Sequence, residues 1–157
     1  MSIEAPNLTP PRGYDTWLLV AKNYQKCHRA LANALQNLGI SVAQHEVLIA
    51  IGRARSLTQQ QLAEQLLVVK SNVTGLVQRL EQQGFVQRTT NKEDARSKHL
   101  TLTAKGKRMA EKTFALQSEL VNSMMGTMTD QQLEKSGQLF MRVGGVLDDL
   151  LQAHENQ

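Results

Sequence analysis

The amino-acid sequence predicts a mainly α-helical fold with one small β-ribbon. Several stretches repeat apolar residues at helical spacing, and capping boxes of the form S/T-x-x-E/Q stand at residues 41–44, 58–61 and 129–132. One short stretch, residues 100–102, instead alternates apolar and polar side chains, and it can pair with the β-branched and aromatic segment 85–90. The 157 residues suffice for one domain with a substantial core.

Two short helices precede the predicted ribbon. The first begins at the capping box of residues 58–61 and is expected to end near Val68. The second runs from about Lys70 or Ser71 to Gln83, where Gly84 can supply the left-handed residue that ends a helix. Its apolar residues follow the i, i+3, i+4, i+7 spacing of a face that packs on a core: Val73, Leu76, Val77 and Leu80.

The opposite face of this second helix is polar. Its side chains can hydrogen-bond base edges or phosphates. A glycine there, Gly75, costs about 1 kcal/mol of helix stability relative to alanine, and close approach to another surface is one reason to tolerate it. We therefore expect a recognition helix. Its candidate DNA contacts are Lys70, Ser71, Asn72, Thr74, Gly75, Gln78 and Arg79.

The turn of the predicted ribbon, residues 91–98, is strongly charged. Arg96 and Lys98 would project from its tip, and a guanidinium on a thin hairpin suits the narrow, electronegative minor groove of DNA. Residues 70–108 hold nine Lys and Arg against three Asp and Glu, a charge of +6 compared with +4 for the whole chain. Such a concentration favours an anionic partner, although basic residues can also simply solvate a ribbon.

Helix, turn, helix and ribbon occur here in order and are closed by Asp-x-Arg-x-x-x-Leu-x-Leu-Thr-x-x-Gly at residues 94–106. This arrangement resembles the MarR (multiple antibiotic resistance regulator) family of winged helix-turn-helix regulators over roughly residues 14–153. The resemblance implies a cytoplasmic homodimer that binds a pseudo-palindromic operator in double-stranded DNA, usually as a repressor, and releases it in response to a small molecule or an oxidant. By the same motif, Arg96 is the wing-tip arginine and Asp94 the acid that orients it.

For the chain as a whole we expect a flexible arm over residues 1–13 and a single domain over residues 14–157. The winged helix-turn-helix covers about residues 41–103, and dimerisation helices flank it at about residues 14–38 and 104–154. These outer helices carry more apolar surface than one short chain covers, so a second subunit is the simplest cover.

Several residues are candidates to receive the signal that would control the expected DNA binding. Trp17, Tyr24 and His45 are candidate contacts for an aromatic or phenolic ligand, although these rings also suit a dimer core. Cys27, the single cysteine, is by default a buried apolar residue. A thiol-based redox sensor at Cys27 is the alternative.

Other function classes find little support. The four histidines are scattered, so we expect no metal site, and no cofactor motif is present. The chain has no phosphate-binding loop, nucleophile elbow or H-E-x-x-H motif, which argues against an enzyme. No signal peptide or membrane span is expected. A non-specific architectural DNA-binding protein stays as the alternative to a sequence-specific regulator.

Overall fold

A computed structural model of the chain describes residues 8–66, 70–90 and 98–155. The chain divides into two compact units, Met1–Leu116 and Gln117–Gln157. The elements in chain order are α1 (Tyr14–Leu35), a 3₁₀ turn (Gln36–Leu38), α2 (Val42–Ala54), β1 (Leu57–Thr58), α3 (Gln59–Leu66), α4 (Lys70–Gln82), β2 (Val86–Thr90), β3 (Lys98–Leu102), α5 (Ala104–Met125) and α6 (Asp130–Glu155).

All three predicted capping boxes are formed. At α2, the Gln44 amide donates to Ser41 Oγ at 3.2 Å, and the Ser41 amide donates to Gln44 Oε1 at 3.0 Å. The same reciprocal pair of bonds joins residues 58 and 61, at 2.9 and 3.1 Å, and residues 129 and 132, at 2.8 and 3.3 Å. Each box satisfies backbone amides that have no partner inside the helix, so short-range chemistry sets where these helices begin.

The predicted ribbon is part of a three-stranded antiparallel sheet with the order β1-β3-β2. β2 pairs with β3 from Val86 opposite Leu102 to Thr90 opposite Lys98. The added strand, β1, pairs Leu57 with Leu100. Two residues are too few to show a period, so β1 was not predicted from the sequence.

The first unit has a closed apolar core. Its predicted α4 stripe is confirmed, because Val73, Val77 and Leu80 are 0% exposed and Leu76 packs against the core while partly buried. Burial of each such side chain contributes about 1.5–3 kcal/mol. The other elements supply apolar core residues that include Leu35, Val47, Leu48, Ile51, Leu57, Leu62, Phe85, Val86, Leu100, Leu102 and Ala110.

The start of α5 is bonded to the chain that follows α4. The Thr103 amide donates to the Phe85 carbonyl at 3.0 Å, and Thr103 Oγ1 donates to the Gly84 carbonyl at 2.7 Å. Lys105 Nζ donates to the Gln83 carbonyl at 2.7 Å. A Cβ at Gly106 would overlap the Phe85 carbonyl oxygen. The Leu-Thr-x-x-Gly part of the closing motif is therefore the place where two backbone segments meet.

Most of the large apolar residues of α6 are exposed. In the second unit, none of residues 117–153 is buried. The large apolar side chains exposed on α6 are Leu139, Phe140, Met141, Val143, Val146, Leu147, Leu150 and Leu151. In the first unit, α1 also exposes large side chains, namely Tyr14, Trp17, Leu19, Val20 and Tyr24. Among the described residues, no helix combines the length and apolar character needed to cross a membrane.

Candidate nucleic-acid interface

Helix α4 is fixed at its C-terminal end. The Phe85 amide donates to the Leu80 carbonyl at 2.9 Å, and Gly84 has a φ of 73°, a left-handed conformation that glycine adopts without strain. Gln44 Nε2 on α2 donates to Gln83 Oε1 at 3.0 Å. With its apolar stripe buried, α4 has one orientation on the core and presents its polar face outwards.

The outward face of α4 holds most of the predicted DNA contacts. The side chains of Asn72, Gln78 and Arg79 are exposed, and Gly75 is partly buried. A Cβ at Gly75 would meet no atom within 4 Å, so the space above it is open. The backbone of Lys70 and Ser71 forms the first turn of the helix. The face therefore offers amide and guanidinium groups around an open position where another surface can approach closely.

Thr74 has a different environment from its neighbours. Its hydroxyl oxygen accepts a hydrogen bond from Gln59 Nε2 at 2.6 Å. Gln59 Oε1 accepts from Arg88 Nη1 at 3.3 Å, and Arg88 Nε donates to Glu81 Oε1 at 2.9 Å. Side chains of α3, α4 and β2 are joined in this way. Gln59 and Glu81 were not predicted as site residues, and Arg88 was predicted only to contribute positive charge, because 29 positions separate Gln59 from Arg88 and local spacing does not connect them.

Strand β3 of the predicted wing is bonded to Ser56, just before β1. Lys98, which was predicted to lie in the turn at the tip of the ribbon, is instead the first residue of β3; it pairs with Thr90 across the ladder, and its side chain is exposed. The next residue, His99, has its Nδ1 atom 3.0 Å from Ser56 Oγ. Asp94 and Arg96 lie outside the described residues. The described part of the hairpin therefore leads directly to the segment that holds the predicted wing-tip residues.

The predicted aromatic ligand contacts lie in unlike surroundings. His45 is 1% exposed on α2, whereas Trp17 and Tyr24 on α1 are 59% and 68% exposed. Trp17 pairs with Tyr14 at 5.5 Å between ring centroids, and Tyr24 pairs with His28 at 6.3 Å. Cys27 is a free thiol and is half-buried. No contact among these four predicted residues defines a ligand site in the described structure.

A cavity of about 810 Å³ opens instead between α2, the sheet and α5. Its wall includes three cationic residues, Arg53, Arg55 and Lys107, and one acid, Glu111. Thr101 also lines it, and its buried hydroxyl has no hydrogen-bond partner among the described residues. The apolar lining is Ile49, Ile51, Leu102, Ala110 and Phe114. This cavity was not predicted from the sequence, because its residues come from four separate elements, α2, β2, β3 and α5.

A metal centre finds no support in the residues that the structure describes. Over residues 8–66, 70–90 and 98–155, no three His, Cys, Asp or Glu side chains are grouped so that they could hold an ion. The arrangement of α3, α4 and the sheet is instead that of a winged helix, with an exposed polar helix beside a basic hairpin.

Comparisons with known proteins agree with this arrangement. The family model of the MarR family matches residues 40–98. The repressor MdtR of Bacillus subtilis (strain 168) is 28% identical over 119 residues, which are 76% of this chain and 77% of MdtR. A cysteine-to-serine mutant of MarR from E. coli, complexed with operator DNA, is 26% identical with a TM-score of 0.73, over 85% of this chain and 99% of that chain.

AbsC of Streptomyces coelicolor, a MarR family transcriptional regulator, supports the fold alone. It has a TM-score of 0.81 at 16% identity and covers 90% of this chain and 98% of its own. Fold and site together define a winged-helix DNA-binding transcription regulator. The chain is similar to the MarR family over the residues that the family model matches, and the members of that family are transcriptional regulators and not enzymes.

Proposed function

We propose that this protein is a cytoplasmic homodimeric repressor that binds a pseudo-palindromic operator in double-stranded DNA. The exposed polar face of α4, on a helix whose opposite face is buried, is the observation that supports this proposal. α4 enters the major groove, where Asn72 and Gln78 meet base edges and Arg79 meets phosphate. Lys70, Ser71, Thr74 and Gly75 complete its contact surface.

The wing supplies the second set of DNA contacts in this proposal. Arg96, oriented by Asp94, reaches the minor groove next to the site of α4, and Lys98 meets the phosphate backbone. The operator complex of the E. coli MarR mutant supports DNA binding by this fold. The name of MdtR as a transcriptional repressor supports repression as the outcome.

A second copy of the chain is the proposed cover for the apolar face of α6. Eight large apolar residues lie exposed on this one helix, which is more than an isolated helix keeps in water without a partner. A two-fold axis would place two α4 helices about 34 Å apart, one turn of DNA, and so explain a palindromic site. Gly137 and Gly144 on α6, with open space at their Cβ positions, allow close helix approach.

The test is a binding titration with a duplex from the upstream region of the protein's own gene, against a scrambled duplex, over a salt series. A sequence-specific regulator is expected to prefer its operator by about 10³-fold or more. Gln78→Ala should lower that preference, whereas Gln131→Ala, an exposed glutamine on α6, should leave it unchanged. A preference near one would favour the architectural alternative.

We also propose that a small aromatic or phenolic ligand relieves operator binding by changing the spacing of the two α4 helices. The cavity between α2, the sheet and α5 supports this proposal, because its volume of about 810 Å³ can hold a small aromatic molecule and its Arg and Lys side chains can bind an acidic group.

Benzoate and phenol are the probes used to test whether a ligand releases the protein from its operator. If Arg53→Ala no longer releases DNA in response to the probe, the ligand binds in this cavity; if Trp17→Ala no longer does so, the ligand binds on α1. If peroxide releases the parent protein from DNA but not the Cys27→Ser variant, redox control is favoured instead.

A further inference from the structure

Four side chains from α3, α4 and β2 form one continuous series of hydrogen bonds. Its members are Thr74 and Glu81 on α4, Gln59 at the first position of α3, and Arg88 on β2. The bonds are Gln59 Nε2 to Thr74 Oγ1 at 2.6 Å, Arg88 Nη1 to Gln59 Oε1 at 3.3 Å, and Arg88 Nε to Glu81 Oε1 at 2.9 Å. We call these four residues the α4–β2 cluster.

The geometry of the cluster is determined by what each group can do. A guanidinium can only donate, so the oxygen of the Gln59 amide must face Arg88 and its NH₂ group must face Thr74. Both ends of the amide are then engaged at once. Gln59 is itself held in place, because it lies between the capping partners Thr58 and Gln61. The cluster therefore ties α4 and β2 to a fixed point at the start of α3.

Arg88 lies near the middle of β2, in the strand that leads into the predicted wing tip. We propose that Gln59, Glu81 and Arg88 are positioning residues that set the distance between α4 and the wing, so that both reach adjacent grooves of the operator together. This inference rests on the proposed function, in which α4 and the wing read DNA. A correct distance favours the specific complex, in which both elements engage, over non-specific binding, which depends on charge.

Glu81→Ala gives the most decisive test, because charge and positioning predict opposite results. Removal of an acid from a DNA-binding face should tighten binding to every duplex by simple electrostatics. If Glu81 positions Arg88, operator binding should weaken about 5-fold or more, while random-duplex binding stays equal or tightens. Glu64→Ala is the matched control, since it removes the same charge from an exposed residue of α3 that lies outside the cluster.

Variants of the two other residues separate positioning from a direct phosphate contact. Gln59→Leu changes no charge and should reduce the preference for the operator. Arg88→Lys keeps the charge, but one ammonium cannot reproduce the two directed bonds of Nε and Nη1, so it should not restore that preference. The double variant Glu81→Ala with Arg88→Ala should be no worse than Arg88→Ala alone, because one broken connection is enough.

The contrary results are equally clear. Arg88 would be a phosphate contact if Arg88→Ala lowered operator and random-duplex binding by the same factor and reduced the slope of log affinity against log salt concentration by about one. If, in addition, Glu81→Ala behaved like Glu64→Ala, the inference would be overturned. A parent protein with no preference for its operator would instead overturn the proposed function. Thermal unfolding of each variant, compared with the parent protein, confirms that the effects arise in a folded protein.

Discussion

Helices α4 and α6 both carry an apolar stripe on one side, but the stripe of α4 is buried within its own unit, whereas that of α6 is exposed on its own unit. Val73, Val77 and Leu80 of α4 are completely buried, whereas Leu147 of α6 is 54% exposed and none of its described residues through residue 153 is buried. A buried stripe stabilises the chain that contains it. An exposed stripe of similar size contributes little until something covers it.

Amphipathic spacing therefore predicts that a helix face will be covered, but it does not predict which chain covers it. α4 has a core to pack on because α2, α3 and the sheet close around it. In the second unit none of residues 117–153 is buried, and we propose that a second copy of the chain covers its apolar side chains. The first unit should therefore be stable by its own contacts, and α6 should depend on protein concentration.

The largest effect is expected from a leucine-to-alanine change in the covered helix. Leu80→Ala removes a fully buried side chain from a closed core and should lower the free energy of unfolding by about 4 kcal/mol. Leu147→Ala removes the same atoms from an exposed position and should cost under about 1 kcal/mol at low protein concentration. Urea unfolding monitored by circular dichroism measures both values.

Protein concentration is the control for these two leucine variants. If a second copy covers α6, the cost of Leu147→Ala should rise as protein concentration rises, because the parent protein then gains dimer contacts that the variant lacks. The loss for Leu80→Ala should exceed that for Leu147→Ala at every concentration. Equal losses for the two variants at low protein concentration would contradict this proposal, because Leu147 would then be buried without a second copy.

A smaller effect on stability is expected from replacing a glycine in the first unit. At Gly106, an added methyl group would overlap the Phe85 carbonyl oxygen, a backbone atom that cannot rotate away. Gly106→Ala should therefore destabilise the protein by about 3 kcal/mol as the two segments are forced apart. Gly145→Ala on α6 meets no atom within 4 Å and should be neutral or slightly stabilising. A neutral Gly106→Ala in thermal unfolding would contradict the close contact.

Local signals were sufficient to predict most of the fold. The three capping boxes, the apolar stripe of α4, the left-handed Gly84 and the pairing of β2 with β3 all depend on residues close in sequence, and all are present. β1 was not predicted because it is a strand only through its pairing with β3, in which Leu57 lies opposite Leu100, 43 positions further along the chain. Only tertiary pairing reveals a strand of two residues.

The exposed residues of the candidate nucleic-acid interface could be predicted from the sequence, but the hydrogen bonds that connect its side chains could not. The exposed residues Asn72, Gln78 and Arg79 followed from helical periodicity. In contrast, the bond between Gln59 and Arg88 joins residues 29 positions apart, and the charged cavity collects residues from α2, the sheet and α5. Nothing in local spacing encodes such encounters, since they depend on how the elements pack.

The smallest stability effect, and the one that best separates folding from function, is expected at Gly75. This glycine lies inside α4, where alanine is the better helix former, and no atom lies within 4 Å of its Cβ position. Gly75→Ala should therefore raise the free energy of unfolding by about 0.5–1 kcal/mol. The same methyl group would stand on the face that we propose lies against DNA, so operator affinity should fall about 10-fold while stability rises.

Opposite signs in the two measurements are what give the Gly75→Ala experiment its value. A variant that is damaged in folding loses stability and affinity together, whereas this one should gain the first and lose the second. Gly145→Ala is its matched control, because that position on α6 is equally open but lies outside the proposed DNA contacts. If Gly75→Ala binds the operator as tightly as Gly145→Ala does, the middle of α4 does not approach DNA closely, and the major-groove contact must be moved to another part of the helix.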